Sequence, residues 1–280
     1  MMRAEIDSFI RYLEIEKGAS QNTLLSYNRD LRQMIGFFEE RGITKPEEVT
    51  EDALDRYMVN QRQGGRAAAT ISREMASIKA FFQYEMRNGR LEKNPSQILK
   101  APKVERKAPL ILSVWEVNAL LVQPCRNTIK GIRDRAMLEL LYATGIRVSE
   151  LVGLRLEDVN LAGSSIVCRD RGRERVIPFG KSARQALEQY IGGAREEMLR
   201  GGNSEWLFTN CSGQAMSRQG FWKLIKSYGE KAGIQADITP HTLRHTLAAH
   251  LLRSGKDARS VQAVLGHANA TVIQTYANYK

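Results

Sequence analysis

The chain reads as a mainly α-helical protein with one small β-hairpin, an α+β fold in two domains: an N-terminal helical bundle and a larger C-terminal domain that holds the hairpin. Three observations lead there. Apolar residues recur at helical spacing across the N-terminal third. A basic stretch with three prolines then interrupts the pattern. Beyond it helical periods resume, broken once by two short runs of β-branched residues on either side of a charged turn.

In the first domain, residues 1–93, Ile6, Phe9, Ile10 and Leu13 form an apolar stripe that Gly18 stops. Ser20 then caps a helix carrying Leu24, Tyr27, Leu31, Ile35 and Phe38, which ends at Gly42. A short third helix follows Thr50, with Glu51 and Asp52 in its first turn, where the helix dipole favours acids. A fourth starts near Ala67 and buries Ile71, Met75, Ile78, Phe81 and Phe82 before Asn88 and Gly89. Four or five helices with such stripes make a bundle, and the aromatic residues serve as its core.

Residues 94–112 read as an extended linker, with Pro95, Pro102 and Pro109 among several bases. In the second domain, residues 113–280, Ser113 caps a helix holding Trp115, Val117, Leu120 and Leu121, and another runs from about Ile132 to Tyr142 and ends at Gly145. Ile166 to Cys168 and Arg175 to Pro178 are expected strands, joined through Asp170, Arg171, Gly172 and Arg173. Helices are expected again over 182–199, 217–233, 241–254 and 258–265.

Composition narrows the function classes. With 42% hydrophobic and 26% charged residues the chain has a globular balance. No run approaches the roughly 18 apolar residues of a membrane span. Glu5 and Asp7 stand where a secretory signal needs an apolar stretch, so a cytoplasmic location is expected. Cys125, Cys168 and Cys211 are odd in number and far apart, which suits buried reduced thiols rather than a zinc site or a disulfide. The net charge of +11 is unevenly spread: residues 1–100 hold 16 Lys and Arg against 15 Asp and Glu, whereas residues 101–280 hold 26 against 16. The C-terminal part is therefore the stronger candidate for contact with phosphates.

Three separated segments there carry side chains suited to a phosphodiester: Thr144-Gly145-Ile146-Arg147-Val148-Ser149-Glu150-Leu151, Pro240-His241-Thr242-Leu243-Arg244-His245, and Leu265-Gly266-His267. Cleaving such a bond passes through a five-coordinate phosphorus with extra negative charge on its nonbridging oxygens. Two guanidinium forks match that geometry without a metal. Leu243, Leu247 and Leu251 define the buried face of one helix, and His241 and Arg244, three apart, should project together from a neighbouring face. His241 and His245 are also spaced as metal ligands, but no carboxylate or cysteine lies close in sequence to complete a set, and Arg244 between them would repel a cation.

These segments in this order, with Thr275-Tyr276 after them, resemble the tyrosine recombinase (phage integrase) family, and within it the bacterial Xer recombinases. The resemblance spans essentially the whole chain. It implies an N-terminal helical, SAM-like core-binding domain followed by a catalytic domain. It also implies a site-specific recombinase that cleaves and rejoins DNA strands through a 3′-phosphotyrosine intermediate, in chromosome dimer resolution or in integration of a mobile element. The implied partner is double-stranded DNA with an inverted-repeat recombination site, bound by a homo- or hetero-tetramer on two DNA sites. No cofactor, metal or small-molecule substrate is implied. Residue by residue, Arg147 and Arg244 resemble the arginines that hold the scissile phosphate. His241 resembles the histidine between phosphate and nucleophile, and His267 the second histidine. Tyr276, nine residues after His267, matches the nucleophile, whereas Tyr279 falls three residues later. Glu150 matches the acidic residue that braces the site.

The chain departs from the family pattern in two places. The hairpin turn of the family presents a lysine that protonates the departing 5′ oxygen, and Arg171 stands there instead. A guanidinium with a pKa above about 12 is a poor proton donor, so slow cleavage is expected. The sequence also stops at Lys280, four residues after Tyr276, where family members continue into a helix that docks on a neighbouring protomer, so weaker assembly is expected. The rival from another class is a catalytically impaired protein that occupies recombination sites without cutting, as the missing lysine permits. An ordinary helix-turn-helix regulator leaves Arg147, His267 and Tyr276 unexplained.

Overall fold

The computed structural model describes residues 2–102, 108–170 and 173–266. The chain divides into two compact units, Met1–Lys107 and Ala108–Lys280.

Four α-helices build the first unit: α1 (Met2–Ile15), α2 (Gln21–Glu39), α3 (Glu51–Gln63) and α4 (Ala68–Arg87). The expected caps are in place, with the Ser20 and Thr50 side chains accepting from the Thr23 and Ala53 amides. Ile6, Phe9, Leu31, Ile35, Phe38, Ile78, Phe81 and Phe82 close into one core. The stretch after α4 differs from expectation. Pro95–Ile98 forms a 3-10 turn, Asn94 Oδ1 accepts from the Ser96 amide at 2.9 Å, and Leu99 is buried in the same core. The asparagine before the proline holds this turn closed, so the start of the supposed extended linker is part of the bundle.

The second unit begins with α5 (Val114–Leu121), whose capping box joins Ser113 to Glu116. Val117, Leu120 and Leu121 are buried as expected, but Trp115 is 72% exposed. Two residues along a helix turn through about 200°, so Trp115 and Val117 cannot share a face. The unit is organised around α6 (Ile129–Thr144), which buries Ala136, Met137, Leu138, Leu140 and Leu141 and so touches protein on every side. It starts three residues earlier than its apolar pattern because Thr128 caps it, accepting from the Gly131 amide. A short helix, α7 (Val148–Val152), follows at once and is not evident in the apolar pattern.

The sheet has three antiparallel strands in the order β1 (Val159–Asn160), β2 (Ser165–Asp170) and β3 (Arg173–Pro178). The hairpin register pairs Cys168 with Arg175 and Asp170 with Arg173. The first strand, two residues long, is invisible to a period-two pattern. The helix expected over 182–199 is three pieces: α8 (Lys181–Gln189), a π-helical turn over Tyr190–Ala194 containing Gly192 and Gly193, and α9 (Arg195–Leu199). Then come α10 (Arg218–Lys231), α11 (Pro240–Arg253) and α12 (Ala258–Leu265). Leu247, Ala248, Val261 and Leu265 form a small core where α11 and α12 meet. Cys168 is buried, but Cys125 and Cys211 are exposed, contrary to the expectation of three buried thiols, since both lie in loops between helices. Among the described residues no helix is long and apolar enough to cross a membrane.

Gly145 is where this packing is least forgiving. It sits at φ 60°, and a Cβ there would lie 2.4 Å from Leu265 Cδ2 and 2.8 Å from Leu247 Cδ2. Gly145→Ala combines left-handed strain with overpacking of a filled core and should destabilise the second unit by about 2–4 kcal/mol. Trp115, Trp206 and Trp222 all lie in that unit, so urea unfolding followed by tryptophan fluorescence measures it. An unchanged midpoint would mean that the turn relaxes freely.

Candidate active site

The end of α6 sets the first part of the site. The Gly145 amide donates to the Leu141 carbonyl at 2.8 Å, and its left-handed conformation turns the chain out of the helix. Ile146, 1% exposed, pins the turn to the core. Arg147 is then the N-cap of α7, where its amide donates to Glu150 Oε2 at 2.6 Å and its guanidinium approaches Glu150 Oε1 at 3.5 Å. The segment from Thr144 to Glu150 is thus a folding instruction as well as a chemical one: glycine for the turn, isoleucine for the anchor, glutamate for the cap.

Helix α11 supplies the second part. Thr239 caps it and Pro240 occupies its first turn. Leu243 and Leu247 face the core as expected. His241 and Arg244 sit at different depths, however: His241 is exposed at the helix start, whereas Arg244 is only 4% exposed. The Arg244 guanidinium donates through Nη1 to the Gly145 carbonyl and through Nη2 to the Leu265 carbonyl at 2.6 Å. Arg147 Nη2 donates to the Gly266 carbonyl at 3.2 Å. These acceptors are at the C-terminal ends of α6 and α12, where carbonyls lack helical partners and the dipole is negative. A buried guanidinium such as that of Arg244 requires such partners, and among the described residues backbone carbonyls supply two of them.

Among the described residues Glu150 is the acid that faces Arg147 and Arg175. Burial pushes the Glu150 carboxyl upward, but hydrogen bonds from Arg175 and the Arg147 amide, with the charges of both arginines, outweigh it and hold the carboxyl below its ordinary value. Arg175 Nη1 lies 2.8 Å from Glu150 Oε1. The neighbouring Cys168 thiol is pushed up to about 12 by burial and by the negative charge of Glu150. Desolvation, then the charges of Arg244 and Arg147, lower His241, so its imidazole is neutral at pH 7. His245 stacks on His241 with ring centroids 6.2 Å apart. Among the described residues no three His, Cys, Asp or Glu side chains gather as a metal site would need.

Of the residues singled out in the sequence, Arg147, Glu150, His241 and Arg244 come together at the junction of α6, α7, α11 and α12. Arg171, His267 and Tyr276 lie outside the described residues. Arg175 was missed. Its signal was present, because alternation along β3 sets Arg175 on the same face as Ile177, 1% exposed, and opposite Val176, 68% exposed. An arginine on the inward face of a strand requires an acidic partner.

Residues 112–280 match the sequence profile of the phage integrase family, and residues 6–89 match that of the phage integrase N-terminal SAM-like domain. The chain is 40% identical over 276 residues to tyrosine recombinase XerD of Listeria monocytogenes, covering 98% of this chain and 93% of that one. It is 41% identical over 279 residues to tyrosine recombinase XerC of Herpetosiphon aurantiacus, covering 99% and 91%. In fold it is similar to XerH site-specific recombinase bound to difH substrate in a pre-cleavage complex, with a TM-score of 0.76 at 19% identity over 99% of this chain and 93% of that one. A lambda integrase dimer bound to a COC′ core site gives a TM-score of 0.72 at 18% identity, over 98% and 76%.

The histidine pair makes the site sensitive to acid. Desolvation, then His241 and Arg244, lower His245 from 6.5 to about 4. Between those values the unfolded chain binds the proton and the folded chain does not, so this contribution to stability is complete above about 6.5 and is lost as pH falls towards about 4. His245→Gln should therefore reduce the slope of unfolding free energy against pH in that window by close to one proton. An unaltered slope would show that His245 titrates normally in the folded protein.

Proposed function

The chain belongs to the phage integrase family, and on that premise we propose that it is a site-specific recombinase of the Xer type, which cuts and rejoins double-stranded DNA through a 3′-phosphotyrosine bond to Tyr276. The observation that carries this is the pair of guanidinium groups, Arg147 and Arg244, fixed on the carbonyl ends of α6 and α12 beside a neutral His241. Two anchored cations suit a phosphorane whose nonbridging oxygens gain charge as it forms. A phenol with a pKa near 10 is a weak nucleophile at neutral pH, and a neutral imidazole next to the phosphate can accept its proton. The bond to tyrosine conserves the energy of the broken phosphodiester, so the 5′ hydroxyl can reverse the step without ATP. His267 is assigned a second contact to the phosphate, and Glu150 the bracing of Arg147.

Relatives named XerD are 38–41% identical and relatives named XerC 40–41%, which supports the Xer type without favouring either name. We infer further that the partner is an inverted-repeat duplex, with four protomers of one or two kinds acting on two sites; proteins of similar fold are bound to DNA. The site lies either at the junction of a chromosome dimer or at the end of a mobile element, and selection of bound genomic fragments separates these.

Tyr276→Phe should abolish the covalent adduct on a suicide DNA substrate while leaving affinity nearly intact, since only a hydroxyl is lost; Tyr279→Phe should change neither. An adduct that survives the first change and vanishes in the second would assign the nucleophile to Tyr279. No adduct from the unaltered chain, with tight binding, would favour the reading as a non-cutting occupant of such sites.

Arg171 is assigned the place beside the leaving oxygen, where a guanidinium holds its proton too tightly to give it away. Asp170→Gly with Arg171→Lys supplies an ammonium that can donate, and single-turnover cleavage should rise at least about tenfold, a conservative share of what general acids contribute. A substrate with bridging 5′ sulfur leaves without protonation and should be cut by the unaltered chain at nearly the double variant's rate. If the ordinary substrate is already cut as fast as the sulfur one, another group donates the proton.

A further inference from the structure

Arg175 is the cation at the site to which the reaction above assigns no task. It projects inward from β3 and lies between the two elements that hold Arg147. On one side its Nη1 pairs with Glu150 Oε1 at 2.8 Å, the oxygen that also faces the Arg147 guanidinium. On the other it lies against the turn that ends α12, where a Cβ on Gly266 would come within 2.9 Å of Arg175 Cζ and 3.1 Å of its Nε. The Gly266 carbonyl also accepts from Arg147. We propose that Arg175 is a positioning residue for Arg147: by pairing with Glu150 and packing against Gly266 it holds two acceptors of that guanidinium, and so sets the pose in which Arg147 meets the phosphate. This rests on Arg147 being a phosphate ligand, as proposed above.

Energetics favour a positioning role over a second phosphate contact. Glu150 has a side chain only 7% exposed, and it sits between Arg147 on one element and Arg175 on another. Among the described residues the Cys168 thiol on β2, uncharged at neutral pH, also lies near it, and Asp158, near that thiol, is engaged by Arg169. Without Arg175, burial pushes the carboxyl upward against Arg147 alone. A protonated Glu150 releases Arg147 from its charge partner, and a displacement of about 1 Å in such a clamp can cost about 100-fold in rate.

The test is single-turnover cleavage of a suicide DNA substrate at saturating full-length protein, from pH 5 to pH 9, for the unaltered chain, Arg175→Lys, Arg175→Gln, and Arg175→Gln with Glu150→Gln, each checked for folding by circular dichroism. Arg175→Gln should lose about tenfold or more at pH 7. The acid limb of its profile should move to higher pH, while affinity for DNA stays within a few-fold. Arg175→Lys should recover most of the rate and return the limb, because an ammonium restores the charge facing Glu150. The double variant should be slow but regain the original limb, since it has no carboxylate left to titrate; a merely structural role for Arg175 predicts no such return. A full rate for Arg175→Gln, or an acid limb that does not move in the folded variant, overturns the proposal. A slow Arg175→Gln whose loss is all in affinity overturns it too and makes Arg175 a direct phosphate contact. No adduct from the unaltered chain sinks the functional reading instead, and Arg147→Lys cleaving as fast as the unaltered chain removes its premise.

Discussion

The placement of two guanidinium groups on the carbonyl ends of helices is the constraint around which the second unit is arranged. A guanidinium taken out of water costs several kcal/mol unless each exposed N–H finds an acceptor, and acids are the usual solution. Here the Gly145, Leu265 and Gly266 carbonyls accept instead, with Glu150 shared between Arg147 and Arg175. Carbonyls neutralise less than a carboxylate does. Helix-end carbonyls thus fix the orientation of both arginines.

This requirement accounts for features of the fold that are otherwise unconnected. Helices α6 and α12 must end at the same place, and both do so on left-handed glycines, Gly145 at φ 60° and Gly266 at φ 64°. Helix α11 must pass close enough for Arg244 to reach both ends, and Leu247, packed with Leu265 in a small core of their own, holds it there. The hairpin must run alongside α7 so that Arg175 meets Glu150. Residues that form no chemical contact with a substrate, such as Ile146 and Leu265, thus set the distances on which the site depends. Packing of this kind deforms little, because filled cores resist changes of even a methylene.

How much of this was legible in the sequence follows from the physics of each signal. Long amphipathic helices announce themselves, and Ile6, Phe9, Leu31 and Phe81 are core residues for the reason their spacing suggests. Short elements do not. The five residues of α7 and the two of β1 are below the length at which any period can repeat, and the 3-10 turn at Pro95 looks like linker because proline breaks the pattern that identifies a helix. The same limits apply to the site. Arg147, Glu150, His241 and Arg244 were found through ordered motifs, whereas Arg175 has no motif and is recognisable only from the face it occupies once the strand is known. The depth of Arg244 was not legible either, since helical spacing gives direction around an axis but not what lies beyond it.

The excess of positive charge has a further consequence for how the site meets its ligand. Among the described residues Arg147 and Arg175 face one carboxylate, Glu150, while Arg244 is held on helix-end carbonyls, and desolvation and nearby positive charge lower His241 and His245. Cations placed near one another repel, and carbonyls compensate a guanidinium less than a carboxylate does. On the function proposed above, a phosphodiester with one negative charge would relieve part of that repulsion, and a phosphorane with more charge on the same oxygens would relieve more. The difference between these two gains is what accelerates a reaction, since only interactions stronger in the transition state than in the ground state do so. Acids sufficient to neutralise the arginines would stabilise the folded chain and remove that difference. Helix-end carbonyls, which orient a cation without cancelling it, keep both.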